Sequence, residues 1–355
     1  MAGSEPGDPS SDDEPLPEDG VRRQVRGDFV EKRLLQIRTL GDGFDHQIAF
    51  CKQMQMPVVV RSFDMRGFWA DEKKDGSWNV SNPIYKRIYD YYKKKEAEYL
   101  KHADYIISLT EAGKREMSTW PSFNKNVPLQ VIPCCTDMNH FSLTDASQKI
   151  QAREKIGITK DVFLLSYLGN IGTWYMIDEM LLFFKQLKEH YPSAKFLVIT
   201  HTPKEVVLEK ITALQLDEKD FIITQVARKD VPALVKASDI NISFIRPVFS
   251  KISSSPTKLG EVLSMGIPVI CNSGVGDVKQ IVETADAGYV VDNFTREDFE
   301  KAIHSIPHLM AKDPSSIRNA IEEFFSLDKG IQSYLSAYRK VLNKETEAKA
   351  AVEFK

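Results

Sequence analysis

Residues 246–268 read R-P-V-F-S-K-I-S-S-S-P-T-K-L-G-E-V-L-S-M-G-I-P, and the fold turns on this stretch. It follows a β-branched run at 240–245 with the character of a buried strand. Ser255 and Pro256 have the chemistry of a helix start, with Ser255 as N-cap and Pro256 at the first helical position, where its missing N–H costs nothing. A helix beginning there offers free amides, at Thr257 and Lys258, and the positive end of its dipole. Lys258 falls in the first turn, and Glu261 lies three residues on, near the same face. Arg246 and Lys251 add positive charge, and Ser253, Ser254 and Ser255 add hydroxyls. Gly266 stops the helix, and Pro268 opens the next strand. Strand, cationic hydroxyl-rich loop and helix N-terminus together make a place to hold a phosphate.

Outward from this unit, strands alternate with helices. Strands are expected at 162–168, 195–200, 221–225, 239–245, 268–272 and 288–291, with helices at 176–189, 203–214 and 230–237 among them. Such alternation predicts an α/β, doubly wound, Rossmann-like domain over 161–310. After its first strand comes G-N-I-G-T, residues 169–173. Gly169 and Gly172 allow a tight turn that brings backbone, Asn170 and Thr173 near a ligand at a helix start. A plain strand-to-helix turn is the equal alternative, and position ahead of the Lys258 unit favours the site. Gly274 and Gly276 form a further loop, with Asp277 starting a helix. The G-x-G-x-x-G fingerprint is absent, which argues against a nicotinamide enzyme.

The first half repeats the alternation. A strand at 34–39, a helix at 45–54 and a strand at 57–62 form a β-α-β unit. Residues 63–72, F-D-M-R-G-F-W-A-D-E, read as a loop carrying Asp64, Arg66, Asp71 and Glu72. Its bland reading is a salt-bridged surface loop. A Tyr- and Lys-rich helix spans 83–103, read as a solvated face with a Tyr/Ile/Leu stripe inward; weak peripheral contact with an anionic membrane is the lesser reading. Strands at 105–109 and 129–132 flank a helix at 111–117, completing a domain over 28–142. A charged helix at 143–160 links the halves, and residues 311–355 are helical. Residues 1–27 have the acidic, Pro/Gly/Ser-rich composition of a disordered tail.

Composition sets the limits. The chain has 355 residues, 42% hydrophobic, enough for two cores of ordinary size. A net charge of −3 argues against a general nucleic-acid binder. No apolar run reaches the length of a bilayer span, and the N-terminus lacks a signal-peptide core. Cys51, Cys134, Cys135 and Cys271 show no zinc spacing, and none of the seven histidines lies in H-E-x-x-H. No metal site is expected, the adjacent thiols read as packed, and a reducing cytoplasm is the simplest location.

The run S-P-T-K-L-G-E-V-L-S-M-G-I-P-V-I, residues 255–270, resembles the C-terminal signature of retaining glycosyltransferases of the GT-B fold, family 4. D-M-R-G-F-W-A-D-E resembles stretches that face the cleft between domains in bacterial members. H-A-D-Y-I-I-S-L-T-E-A-G-K and V-I-P-C-C-T-D-M-N-H-F are similar to the end of the family's N-terminal domain, with Cys135 where Gly is common. The resemblance implies two Rossmann-like domains, the N-terminal one shortened, because nothing before Lys32 matches the family's first units and Gly-rich acceptor loop. It implies a Lys, here Lys258, on the donor diphosphate and a Glu, here Glu261, on the nucleotide ribose. The family's upstream Glu position is Ser253 in this chain. Asn170 and Tyr175 stand where many members carry phosphate-binding Arg and Lys.

These expectations give donor-binding roles to Gly169, Asn170, Gly172, Thr173, Lys251, Ser254, Ser255, Thr257 and Glu261. Lys258 and Arg246 stabilise charge on the leaving diphosphate, Asp64 or Asp71 orients the acceptor hydroxyl, and Arg66, Asp71 and Glu72 face the acceptor. The implied activity is transfer of a sugar from a nucleotide diphosphate sugar, with retention, without cofactor or metal. The acceptor is a glycan, a lipid-linked species or a small molecule, as in cell-surface polysaccharide synthesis. A nucleotide-sugar epimerase of the same architecture and a non-catalytic nucleotide-sugar-binding partner protein remain the alternatives.

Overall fold

A computed structural model describes residues 35–37 and 61–353, with side chains over 62–341. The expected tail at 1–27, the helix at 45–54 and Cys51 lie outside the described residues. The first sheet is parallel in the order β1-β2-β3-β4, with β1 Leu35–Ile37, β2 Arg61–Met65, β3 Tyr105–Ser108 and β4 Leu129–Val131. Helices α1 Trp69–Gly76 and α2 Pro83–His102 connect β2 to β3, and α3 Glu111–Met117 connects β3 to β4. Asn82 caps α2 and Thr110 caps α3, each accepting from an amide of the first turn.

One expectation for this half is corrected. The stretch 63–72 is not one loop: Phe63, Asp64 and Met65 belong to β2, paired with Ile106, Ile107 and Ser108 of β3, and Trp69 opens α1. A charged Asp64 inside a buried strand broke the apolar run that marks such strands. The inward stripe of α2 runs through Tyr89, Tyr92, Tyr99 and Leu100, with Tyr92 against Trp69 and Trp78, while Ile84, Tyr85 and Tyr91 are exposed.

The second domain holds α4 Ala146–Lys155, β5 Leu164–Leu168, α5 Ile177–His190, β6 Lys195–Ile199, α6 Lys204–Ala213, β7 Phe221–Thr224, α7 Val231–Val235 and β8 Ile240–Ser243. It continues through a 3-10 turn at Phe249–Ser253, α8 Thr257–Ser264, β9 Val269–Asn272, α9 Val278–Thr284, β10 Gly288–Val291, α10 Arg296–Met310 and α11 Pro314–Phe325. All six strands are parallel, in the order β7-β6-β5-β8-β9-β10. Chain order therefore reverses between β5 and β8, the doubly wound arrangement. One face buries Met180, Phe183, Phe184 and Phe299 of α5 and α10, and the other buries Leu259, Val262, Ile317 and Ile321 of α8 and α11.

The helix at 143–160 is no free linker. Arg153 is 4% exposed and donates to Asp239 Oδ2 at 2.5 Å and to the carbonyls of Ala237 and Val162, fixing α4 to the second domain. Asp239 also accepts from Lys149 Nζ and the Leu164 amide, so this buried pair has the further hydrogen bonds it needs. The last helix, α12 Leu327–Glu353, returns to the first domain, where Tyr334, Ala337 and Val341 pack on Tyr105, Ile107 and Ile132. No helix among the described residues is long and apolar enough to cross a membrane.

Candidate active site at the sheet reversal

Ligands of doubly wound sheets sit beyond the carboxyl ends of the strands, where strand order reverses. Here that crevice is framed by the loop after β5, residues 169–176, and the segment from β8 to α8, residues 244–256. Gly169 is buried with φ +159°, and a Cβ there would lie 2.5 Å from Tyr167 Oη and 3.3 Å from Lys258 Nζ. The Lys258 ammonium thus rests against the backbone of the glycine loop. The loop is pinned by Tyr167 Oη donating to the Asn170 carbonyl at 2.7 Å and by the Ile171 amide donating to Thr202 Oγ1 at 2.8 Å. Burial raises the Tyr167 phenol above its ordinary value, so it remains a neutral donor.

Lys258 has no hydrogen-bond or ion-pair partner among the described residues; the Tyr175 ring lies 5.1 Å from its Nζ. The helix starts one residue later than expected. Pro256 is the N-cap, with no side-chain cap, leaving first-turn amides facing the crevice. Ser255 instead accepts from the Cys134 amide of the first domain at 3.2 Å. Glu261, 2% exposed, pairs not with Lys258 but with Arg228, whose Nη2 is 2.7 Å away and whose side chain is 67% exposed. A buried carboxylate is thereby held at the crevice by a cation that solvent can reach.

Other expected cations lie elsewhere. Arg246 stacks 5.3 Å from the Trp174 ring centroid and donates to the carbonyl of Asp75, at the C-terminal end of α1. Lys251 is 4.0 Å from the same ring and 3.1 Å from Glu72 Oε1. Arg246, Lys251 and Glu72 are thus engaged across the junction between the two domains. Asp277 mirrors this, accepting from the Glu111 and Ala112 amides at 2.6 and 2.9 Å. The interdomain junction thus puts a cation on one helix C-terminus and an anion on one N-terminus, as the helix dipoles favour. Ser253, at the family's upstream Glu position, is 1% exposed and accepts from the Phe68 amide at 2.8 Å. Ser254 lies on the same junction, its carbonyl pressed by Gly276, where φ is +44° and a Cβ would fall 2.2 Å away. Gly172 and Thr173 are exposed, and a Cβ on Gly172 would meet nothing within 4 Å.

The remaining acceptor-side residues divide. Asp64 is 1% exposed; it accepts from Tyr334 Oη at 3.0 Å and sits 3.6 Å from Arg66 Nε. Arg66 is half-exposed and held by that pair. Sequence reasoning missed Tyr334 because it lies on α12, and nothing in its helical stripe marks it. Asp71 turns away, accepting from Tyr89 Oη at 2.7 Å and Lys93 Nζ at 2.9 Å. It lines a cavity of about 460 Å³ with Glu96, Trp120 and Phe249. One lysine serves both Asp71 and Glu96, and burial beside the Asp71 charge pushes Glu96 up to about 7. Burial likewise raises Cys135 to about 11 and Cys271 to about 12, keeping both as thiols.

No curated protein matches the sequence. Among solved structures the chain is similar to sucrose-phosphate synthase from Thermosynechococcus elongatus, at TM-score 0.63 and 13% identity over 92% of this chain and 78% of that one. It is similar to HepE from Anabaena in complex with UDP, at TM-score 0.66 and 14% identity over 91% and 81%. It is similar also to WaaG, a glycosyltransferase involved in lipopolysaccharide biosynthesis, at TM-score 0.63 and 16% identity over 83% and 80%. These likenesses establish the GT-B fold. The model of the glycosyl transferases group 1 matches residues 148–323, the stretch that contains Gly169, Lys258 and Glu261. Over those residues the chain matches the group 1 glycosyl transferases, and its framework is GT-B.

Proposed function

We propose that this protein transfers a sugar from a nucleotide diphosphate sugar to an acceptor hydroxyl, with retention of anomeric configuration and without a metal in the crevice. The observation that carries the reading is Lys258 Nζ lying against Gly169, unpaired among the described residues, at the point of strand reversal. HepE structures hold UDP and UDP-glucose, which supports a nucleotide sugar as donor. Lys258 and the α8 amides receive the diphosphate, and Glu261 receives the ribose diol, with Arg228 swinging aside. In the transfer, the anomeric C–O bond to diphosphate breaks, a C–O bond to the acceptor forms on the same face, and the acceptor proton passes to the departing diphosphate oxygen. Preorganised positive charge lowers the barrier because diphosphate charge grows in the transition state.

Arg66, held by Asp64 and Tyr334, faces the acceptor. The acceptor is a glycan or lipid-linked species; exposed Ile84, Tyr85 and Tyr91 beside Lys86 and Arg87 suit weak contact with an anionic membrane. Co-sedimentation with anionic vesicles tests that contact, and none with an Ile84→Ser/Tyr91→Ser variant is expected. The protonated thiols of Cys135 and Cys271 fit a reducing cytoplasm. A thermal-shift screen over UDP-, GDP-, TDP- and ADP-sugars tests the central reading. One donor class should raise Tm and, with acceptor, yield a product of unchanged anomeric configuration by NMR; no shift with any of them contradicts the reading.

A further inference from the structure

Far from the crevice, the geometry points to a transition-metal site, of the kind that binds Zn²⁺, formed by His190, Glu300 and His304. His190 is the last residue of α5, which starts at the glycine loop and, at 14 residues, is roughly 20 Å long. Glu300 and His304 stand one turn apart on α10. Their candidate ligand atoms all lie within 4.8 Å of one another. Glu300 Oε1 is 2.8 Å from His190 Nε2 and 3.7 Å from His304 Nε2. Ligand atoms around a tetrahedral zinc ion with bonds near 2.0–2.1 Å stand about 3.3 Å apart, between those two separations. Small rotamer shifts close the set, and the ion takes the place of the proton that joins His190 to Glu300.

Two further observations favour a cation here. Gln186, 5% exposed, donates from Nε2 to Glu300 Oε2 at 2.7 Å and to the Arg296 carbonyl at 3.0 Å. A buried outer partner thus orients the carboxylate and leaves Oε1 for the ion, the support that metal ligands require. His190 also sits at the negative end of the α5 dipole. Two imidazoles and a carboxylate select zinc or a similar borderline ion over magnesium, and leave a fourth position to water. Bound there, the ion would clamp α5 to α10 and stabilise the second domain by mass action.

The test uses the full chain, freed of any affinity tag and stripped with chelator, titrated with ZnCl₂ by calorimetry and followed by Tm. One ion per chain and a Tm rise of several degrees are expected, with no response to MgCl₂. His304→Ala should abolish the response while leaving the metal-free Tm unchanged, because that side chain is 67% exposed. Gln186→Ala should weaken binding about tenfold, the usual effect of removing an outer partner. Absence of zinc-dependent heat and shift overturns the site, as does an undiminished response in the His190→Ala/His304→Ala double variant.

Discussion

At Gly169 the protein leaves no room for a side chain, whereas at Gly172 it leaves a great deal. Gly169→Ala would bring a methyl group within 2.5 Å of Tyr167 Oη, so about 1–3 kcal/mol of stability should be lost by chemical denaturation. A Cβ at Gly172 meets nothing within 4 Å, so the denaturation curve of Gly172→Val should match wild type while nucleotide affinity falls. An unchanged affinity would reduce the second glycine to a turn residue. The placing of Lys258 and Glu261 on one short helix was legible in the sequence, because its start and stop residues are local. Arg246 and Lys251 were not. Their positive charge is visible, but the Asp75 carbonyl that captures Arg246 lies 171 residues away, and such partners leave no local pattern. The same holds for Tyr334, 270 residues from Asp64, and for His190, on a different helix from Glu300 and His304.

Among elements, strands of the second domain were readable to within one or two residues, since both faces are buried and continuous apolar runs mark them. The attachment of α4 was not, because a charged helix reads as solvated until its partner is known. Asp239→Ala should expose how firmly it is attached. Removing one side of the buried Arg153 pair leaves a guanidinium without its counter-ion, at a cost of about 3 kcal/mol in denaturant titration. Wild-type stability in that variant would contradict the assignment. Glu96 on α2 makes a pH prediction. Its folded value, about 7, lies above that of the unfolded carboxyl, so the folded state binds more protons across that window. Stability from this group is therefore present at low pH and is lost as pH rises from about 4.5 to about 7. Glu96→Gln should remove that component from a plot of Tm against pH; an unaltered slope would show that Lys93 keeps the carboxylate charged.

For the whole molecule, two Rossmann-like sheets meet along a polar junction, with helix termini of the first domain capped by Arg246 and Asp277 of the second. Asp277→Ala/Lys251→Met should loosen this junction without touching either core, raising the radius of gyration in solution scattering while each domain stays folded. The two-domain plan was legible from alternation alone, but the closed junction was not, because its bonds join residues from opposite halves. The central claim is that Lys258 and Glu261 divide the donor between phosphate and ribose. Its most direct test is titration of wild type, Lys258→Ala and Glu261→Ala with nucleoside diphosphate, alongside initial rates with an active donor. Lys258→Ala should lower turnover on the order of a hundredfold, about 3 kcal/mol in the transition state, more than it weakens binding. Glu261→Ala should mainly weaken binding of donor and free nucleotide, by about 1.5–3 kcal/mol. If neither change moves binding or rate beyond a few-fold, the donor lies elsewhere and the account is wrong.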